Sequence, residues 1–154
     1  MKNHIILLFT FTLALISSCE KNPTNGDLDG QWQLLEISNK TVATDADYDT
    51  HISKKDDRIY WCFQLDLLMI RSKENLNGQT PYTFARFNHS GKNLDLTSTY
   101  IHFRDKDELI TETDTRILEP MGITGNAEKY VIQELNSKRM VLTTAVKRLT
   151  FRKF

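Results

Sequence analysis

Along most of the chain, apolar positions recur every second residue, in runs separated by polar breaks that contain Gly, Asn or Ser, which predicts strands rather than helices. Gly30 to Ile37 (GQWQLLEI) reads as a first strand, with Trp32 and Leu34 on one face, then Leu35 and Ile37 on the other. Residues 39–57 are polar and acidic and predict a long loop or a short exposed helix. Arg58 to Arg71 (RIYWCFQLDLLMIR) is the strongest strand signal, and its alternation shifts near Asp66-Leu67-Leu68, which predicts a bulge or bend. After a turn at 72–80, the runs Tyr82 to Asn88 and Asn93 to Phe103 flank His89-Ser90-Gly91-Lys92 and predict a hairpin. A short strand is expected at Glu108 to Thr111. Pro120, Gly122 and Gly125 then exclude any long regular element over 117–125. Three further strands are predicted at 129–135, 139–144 and 147–153. Seven or eight strands spaced by about 8–12 residues predict an all-β antiparallel barrel or sandwich.

The N-terminus follows a different pattern. Met1-Lys2-Asn3-His4 leads into an apolar run from Ile5 to Ile16, broken only by Thr10 and Thr12. One positive charge, a short apolar stretch and small residues before a boundary are the parts of a secretory signal. The run is shorter than the roughly 20 residues that a permanent membrane span needs. Ile16-Ser17-Ser18-Cys19 resembles the bacterial lipobox. That resemblance implies cleavage after residue 18, diacylglycerol on the Cys19 sulfur and an acyl chain on its new amine. Attachment through more than one chain is effectively permanent. The expected organisation is therefore a signal peptide over 1–18, lipidated Cys19 with a polar tether over 19–28, and one barrel domain over 29–154. The expected location is the cell envelope, at the outer membrane, with the periplasmic and the surface face both open.

Charge and cysteine content narrow the partners. Of 20 Lys and Arg residues only Lys2 lies in the leader, so the rest of the chain carries 19 basic against 20 acidic side chains. This near-neutrality argues against a nucleic-acid partner, which would call for a basic patch. With Cys19 consumed by lipid, Cys62 has no partner for a disulfide. Its setting, Tyr60-Trp61-Cys62-Phe63, reads as a buried inert thiol. The chain has no phosphate-binding Gly loop, Cys-x-x-Cys, His-x-x-x-His or nucleophile elbow. His51, His89 and His102 lack metal-site spacing, and Asp45, Asp47 and Asp49 lack the Gly and Glu of a calcium loop. No catalytic residue, metal or cofactor is expected, and the oligomeric state is not indicated.

Gly30-Gln31-Trp32 at the mouth of the first strand resembles the Gly-x-Trp signature of lipocalins and wider calycin barrels. The C-terminal segments Met121-Gly122-Ile123, Lys129 to Leu135, Met140-Val141-Leu142 and Leu149 to Lys153 resemble the small lipocalin-like lipoproteins of Bacteroidetes. The resemblance implies a single up-and-down barrel of about eight strands. It also implies that the Trp packs across the closed end, under an Arg of the last strand; Arg148 and Arg152 both qualify, and Arg152 is preferred. The arginine stem and charge would cover the indole. The mature chain is shorter than a typical lipocalin, so a cavity could be small or filled.

Two functions fit these readings. The first is a tethered barrel that holds a small apolar or amphipathic ligand. Tyr60, Phe63, Phe84 and Tyr100 would then line the site, and Arg86 would meet an anionic head group. The second is a solid barrel that contacts another envelope protein or a glycan through loops 39–57 and 104–125. The character of the interior, open or packed, separates them.

Overall fold

The computed structural model describes residues 24–73, 82–103, 105–111 and 117–154. The proposed signal peptide and Cys19 lie outside the described residues.

Ten antiparallel strands are present among them: β1 (Gly30–Asn39), β2 (Thr50–Ser53), β3 (Tyr60–Gln64), β4 (Leu67–Arg71), β5 (Tyr82–Ser90), β6 (Asn93–His102), β7 (Asp107–Leu109), β8 (Glu128–Leu135), β9 (Arg139–Thr143) and β10 (Lys147–Lys153). Eight of them close a ring in the order β1, β3, β4, β5, β6, β8, β9, β10, and β10 pairs back onto β1. The seal runs from Trp32 opposite Lys153 to Asn39 opposite Lys147, so the first and last strands join along most of their length. The expected up-and-down barrel is the fold.

β2 and β7 complete two of the staves. β1 pairs through Gly30–Gln33 with β3 and through Glu36–Asn39 with β2, so β2 and β3 form one strand broken at residues 54–59. β6 is served in the same way, by β8 at Asn93–Leu96 and by β7 at Tyr100–His102. The second break is long, and its described part turns into the barrel. Ile110, Leu118, Met121 and Ile123 are all buried there. Glu119–Met121 form a short 3-10 turn with Pro120 in its first turn, which ends at Gly122 with φ 93°. A Cβ at Gly122 would lie 2.9 Å from Leu149 Cδ2, inside a wholly buried wall, so this close approach requires glycine.

Alternation sets what faces in. Trp61 and Phe63 on β3, Leu68 and Ile70 on β4, Thr83, Ala85 and Phe87 on β5, and Leu94, Leu96, Thr99 and Ile101 on β6 are buried. Trp61 packs against Phe63, Tyr130 and Phe151, with ring centroids 6.1, 5.9 and 5.1 Å away. Its Nε1 donates to Met121 O at 3.0 Å, which fixes the inserted segment to the middle of the core. The interior is thus occupied by large side chains and by part of the β7–β8 connection.

Two sequence expectations change. Residues 58–71 are two strands, not one bent strand: Gln64 pairs with Leu67 across a tight turn at Leu65-Asp66. The apolar run hides that turn, because Leu65 takes a left-handed backbone (φ 57°) without the usual Gly or Asn. The polar stretch 39–57 contains β2, whose four residues are all exposed and give no apolar signal.

Candidate functional site

Gly30 and Trp32 open β1, where the resemblance implies an arginine of the last strand over the indole. Trp32 is fully buried and donates from Nε1 to Leu28 O at 2.8 Å. The cation over its indole is Lys153, with Nζ 4.4 Å from the ring, not Arg152. Register decides this. Trp32 faces Lys153 across the seal, so Lys153 points inward, whereas Arg152 opposes Gln33 on the outer face and donates from Nε to Gln33 Oε1 at 2.9 Å. Burial holds the Lys153 ammonium below its ordinary value, against the opposing pull of Asp27 and Asp29. Arg148, the other candidate, lies over Tyr48 at 4.3 Å. Gly30 has φ 109°, and a Cβ there would meet Lys153 Cε at 3.2 Å.

Of the five residues expected to line a ligand site, only Phe63 faces the interior, edge-on to Phe87 at 5.2 Å. Tyr60, Phe84, Arg86 and Tyr100 are on the outer wall. The cause is strand parity: Phe84 pairs with Tyr100, while the buried Ala85 and Thr99 pair on the opposite face. Phe87 follows Thr83 and Ala85 inward by alternation, while the register shift opposite it puts an extra residue, Thr97, on β6, so that Leu96 and Thr99 both face in. Arg86 is exposed and bonds Asp66 at 2.5 Å across the β4–β5 pair, so it is a solvent-side ion pair. Tyr60 meets Phe154 edge-on at 5.1 Å.

These outward residues form a pattern that the sequence reading missed. Gln31, Cys62, Met69, Phe84, Tyr100 and Leu109 are consecutive partners across β1, β3, β4, β5, β6 and β7, and so make one row on the outside of the ring. Part of that row floors a groove of about 1010 Å³. Cys62, Leu65, Leu67, Met69 and Phe84 supply its apolar wall, Arg71 its cation, and Thr24, Asp29 and Gln31 its polar rim. The Arg71 guanidinium has no ion pair among the described residues, and its Nε is buried without a hydrogen-bond partner. A buried donor left unpaired is costly, and an anionic group in the groove would relieve that cost. Cys62, expected as a buried core thiol, is instead half-buried on the outer wall, because it alternates with the inward Trp61 and Phe63; its thiol donates towards Gln31 Oε1 at 3.8 Å, and burial pushes its pKa up.

A second, polar groove of about 680 Å³ crosses β8–β9–β10–β1, with Tyr48, Arg139 and Arg148 along it. Inside the ring, Glu128 accepts from Tyr130 OH at 2.9 Å and from Thr124 N and Oγ1 at 2.8 and 2.9 Å. The buried Lys147 Nζ donates to Gly122 O at 3.0 Å, 3.6 Å from Glu128. This cluster fastens the inserted segment to β8 and β10. Among the described residues no group of three or more His, Cys, Asp or Glu is placed to hold a metal, and no helix is long and apolar enough to cross a membrane.

Comparison with known proteins agrees with this architecture. A family described as a lipocalin-like domain matches residues 13–154. Among curated proteins, none matches the sequence. The chain is similar to a lipocalin-like protein from Bacteroides uniformis, with TM-score 0.58 and 19% identity, over 84% of this chain and 100% of that one. It is also similar to an uncharacterized protein from Bacteroides eggerthii, with TM-score 0.53 and 15% identity, over 82% and 98% of the two chains. At such identities the likeness concerns the fold.

Proposed function

Because this chain belongs to the lipocalin-like domain family, a fold typical of non-enzymatic binding proteins, we propose that it is a lipid-tethered envelope protein that holds a small apolar or amphipathic molecule. The single observation that carries the reading is the outer-wall groove: about 1010 Å³, walled by Cys62, Leu65, Leu67, Met69 and Phe84, with Arg71 in it, its Nε buried without a hydrogen-bond partner. An apolar cleft with a few placed polar and charged groups, here Arg71 and the rim carboxylate of Asp29, is the usual form of a small-molecule site. The core side chains and the 117–123 segment already take up the barrel's interior, which favours a ligand on the outside. An amphiphile would lay its chain along Met69 and Phe84 and put an anionic head on Arg71. Tethering is supported by the Ile16-Ser17-Ser18-Cys19 pattern.

Native mass spectrometry of residues 20–154, isolated from the native envelope without detergent, tests the binding reading. The expected result is a reproducible added mass that passes into organic solvent and is lost in Arg71→Glu. A bare polypeptide mass, unchanged after incubation with envelope lipid extract, would favour the second reading, an interaction protein working through its loops. The packed interior and the polar groove beside Tyr48 support that alternative.

A further inference from the structure

The exterior of the ring is two-faced. From β3 to β6 the outward side chains include Tyr60 and Cys62, then Leu67, Met69 and Arg71, then Tyr82 and Phe84, then Tyr100, with Leu109 half exposed on β7 beyond them and with Gln64, Arg86 and His102 at the ends of these runs. On the opposite side the outward positions are Lys129, Gln133, Arg139, Thr143, Arg148, Thr150 and Arg152, with Val131 and Val141 among them, a wall that is mainly polar and cationic. A row of apolar side chains on one side of a small barrel, rimmed by polar and charged ones, marks a contact face.

The start of the described chain says what that face meets. Thr24 itself lines the groove. The residues after it do not hang free, although 19–28 was expected to be tether. Leu28 is fully buried, and Asn25 Nδ2 donates to Leu65 O at 2.8 Å, which pins this stretch to the β3–β4 turn. Only the five steps from Cys19 to Thr24 remain as leash, and at the ~3.3–3.6 Å per residue of a fully extended chain they span about 18 Å at most. An acylated Cys19 would therefore hold the bilayer close beside the apolar wall.

We propose that the outer face of β3–β6 rests on the membrane surface, with the lipid interface as its partner; this rests on the tethered reading of Cys19. The side chains suit that boundary. Tyr60, Tyr82 and Tyr100 combine an apolar ring with a polar tip, the composition favoured at the level of lipid head groups. Arg71 can bury its stem and turn its guanidinium to a phosphate. A groove opening on this face would receive its amphiphile sideways from the bilayer.

The test uses the lipidated full-length product in vesicles of phosphatidylethanolamine and phosphatidylglycerol (3:1) that contain nitroxide-labelled lipid. Bimane is attached at Met69→Cys, in a Cys62→Ser background, and at Thr150→Cys on the opposite wall. Leu67→Cys serves as a second reporter should Met69→Cys fail to fold, with near-UV circular dichroism as the check. The expected result is quenching several-fold stronger at position 69 than at 150. Protein that floats with the vesicles but quenches equally at both positions would overturn the docking and leave the tether standing. Protein that does not float would overturn the tether and the docking with it. Shielding of position 69 from both the lipid nitroxide and aqueous iodide would put a second protein copy on this face instead, and would also overturn the proposal.

Discussion

Leu65 shows how a single residue carries a conflict between backbone and side chain. Its φ of 57° suits Gly or Asn, yet a largely exposed leucine stands there, at the rim of the groove. An L-residue in this conformation costs roughly 1–2 kcal/mol, and Asn less, because its short side chain bonds locally. Leu65→Asn is therefore expected to raise stability by about 0.5–1 kcal/mol, read as a higher urea midpoint with an unchanged slope; a lower midpoint would mean that the leucine side chain matters more than its backbone. The exchange of Lys153 for Arg152 over Trp32 is a lesson at the same scale. Gly30 and Trp32 were legible because a motif marks them. The cation was misassigned because the motif names an arginine, whereas the alternation of β10, with Leu149 and Phe151 inward, puts Lys153 on the inner face and Arg152 on the outer one.

Among elements, strands with one wet face were legible and the rest were not. β10 coincides with its expected span, 147–153, because Leu149 and Phe151 alternate with Arg148, Thr150 and Arg152. The β3–β4 hairpin was hidden because both of its faces are apolar, inward to the core and outward to the groove, so the run lost its period. That run was itself the signal of the outer site, since a strand apolar on both faces has something covering each. The inserted segment at 117–123 was legible only as irregular; its burial depends on Trp61 and on the Glu128 cluster, far apart in sequence. The cluster predicts how stability responds to base. Burial and the Glu128 carboxylate hold the Tyr130 phenol well above 10.0. The folded chain then keeps a proton that the unfolded chain loses, so stability falls as pH rises beyond 10. Lys147 acts with the opposite sign: its ammonium is held below 10.5, mainly by burial, so it adds stability as pH rises from that lowered value to 10.5. In Tyr130→Phe the alkaline decline above pH 10 is expected to flatten, measured by urea unfolding at pH 9, 10 and 11; an equally steep decline would place the responsible proton elsewhere.

The molecule as a whole is a closed wall, and closure is where its tolerance ends. Thr150 pairs with Glu36 on one side and Val141 on the other, so it has neighbouring strands on both sides. A proline there removes a donor and strains both ladders, with no open edge to absorb the change. Thr150→Pro is expected to cost about 3 kcal/mol or more and to give protein that aggregates on heating; a soluble variant with an unchanged melting temperature would show that the β1–β10 seal contributes little. The two split staves behave differently. β7 and β8 both take their register from β6, so the wall does not depend on how many residues run between them. The stretch that fills the lumen is thus a stopper hung between two fixed hooks. Changes of length between the hooks leave the hoops in register, but losing the stopper itself would strip Leu118, Met121 and Ile123 from the drum and orphan the Trp61 indole N–H, so a hollow descendant would first have to repack its wall.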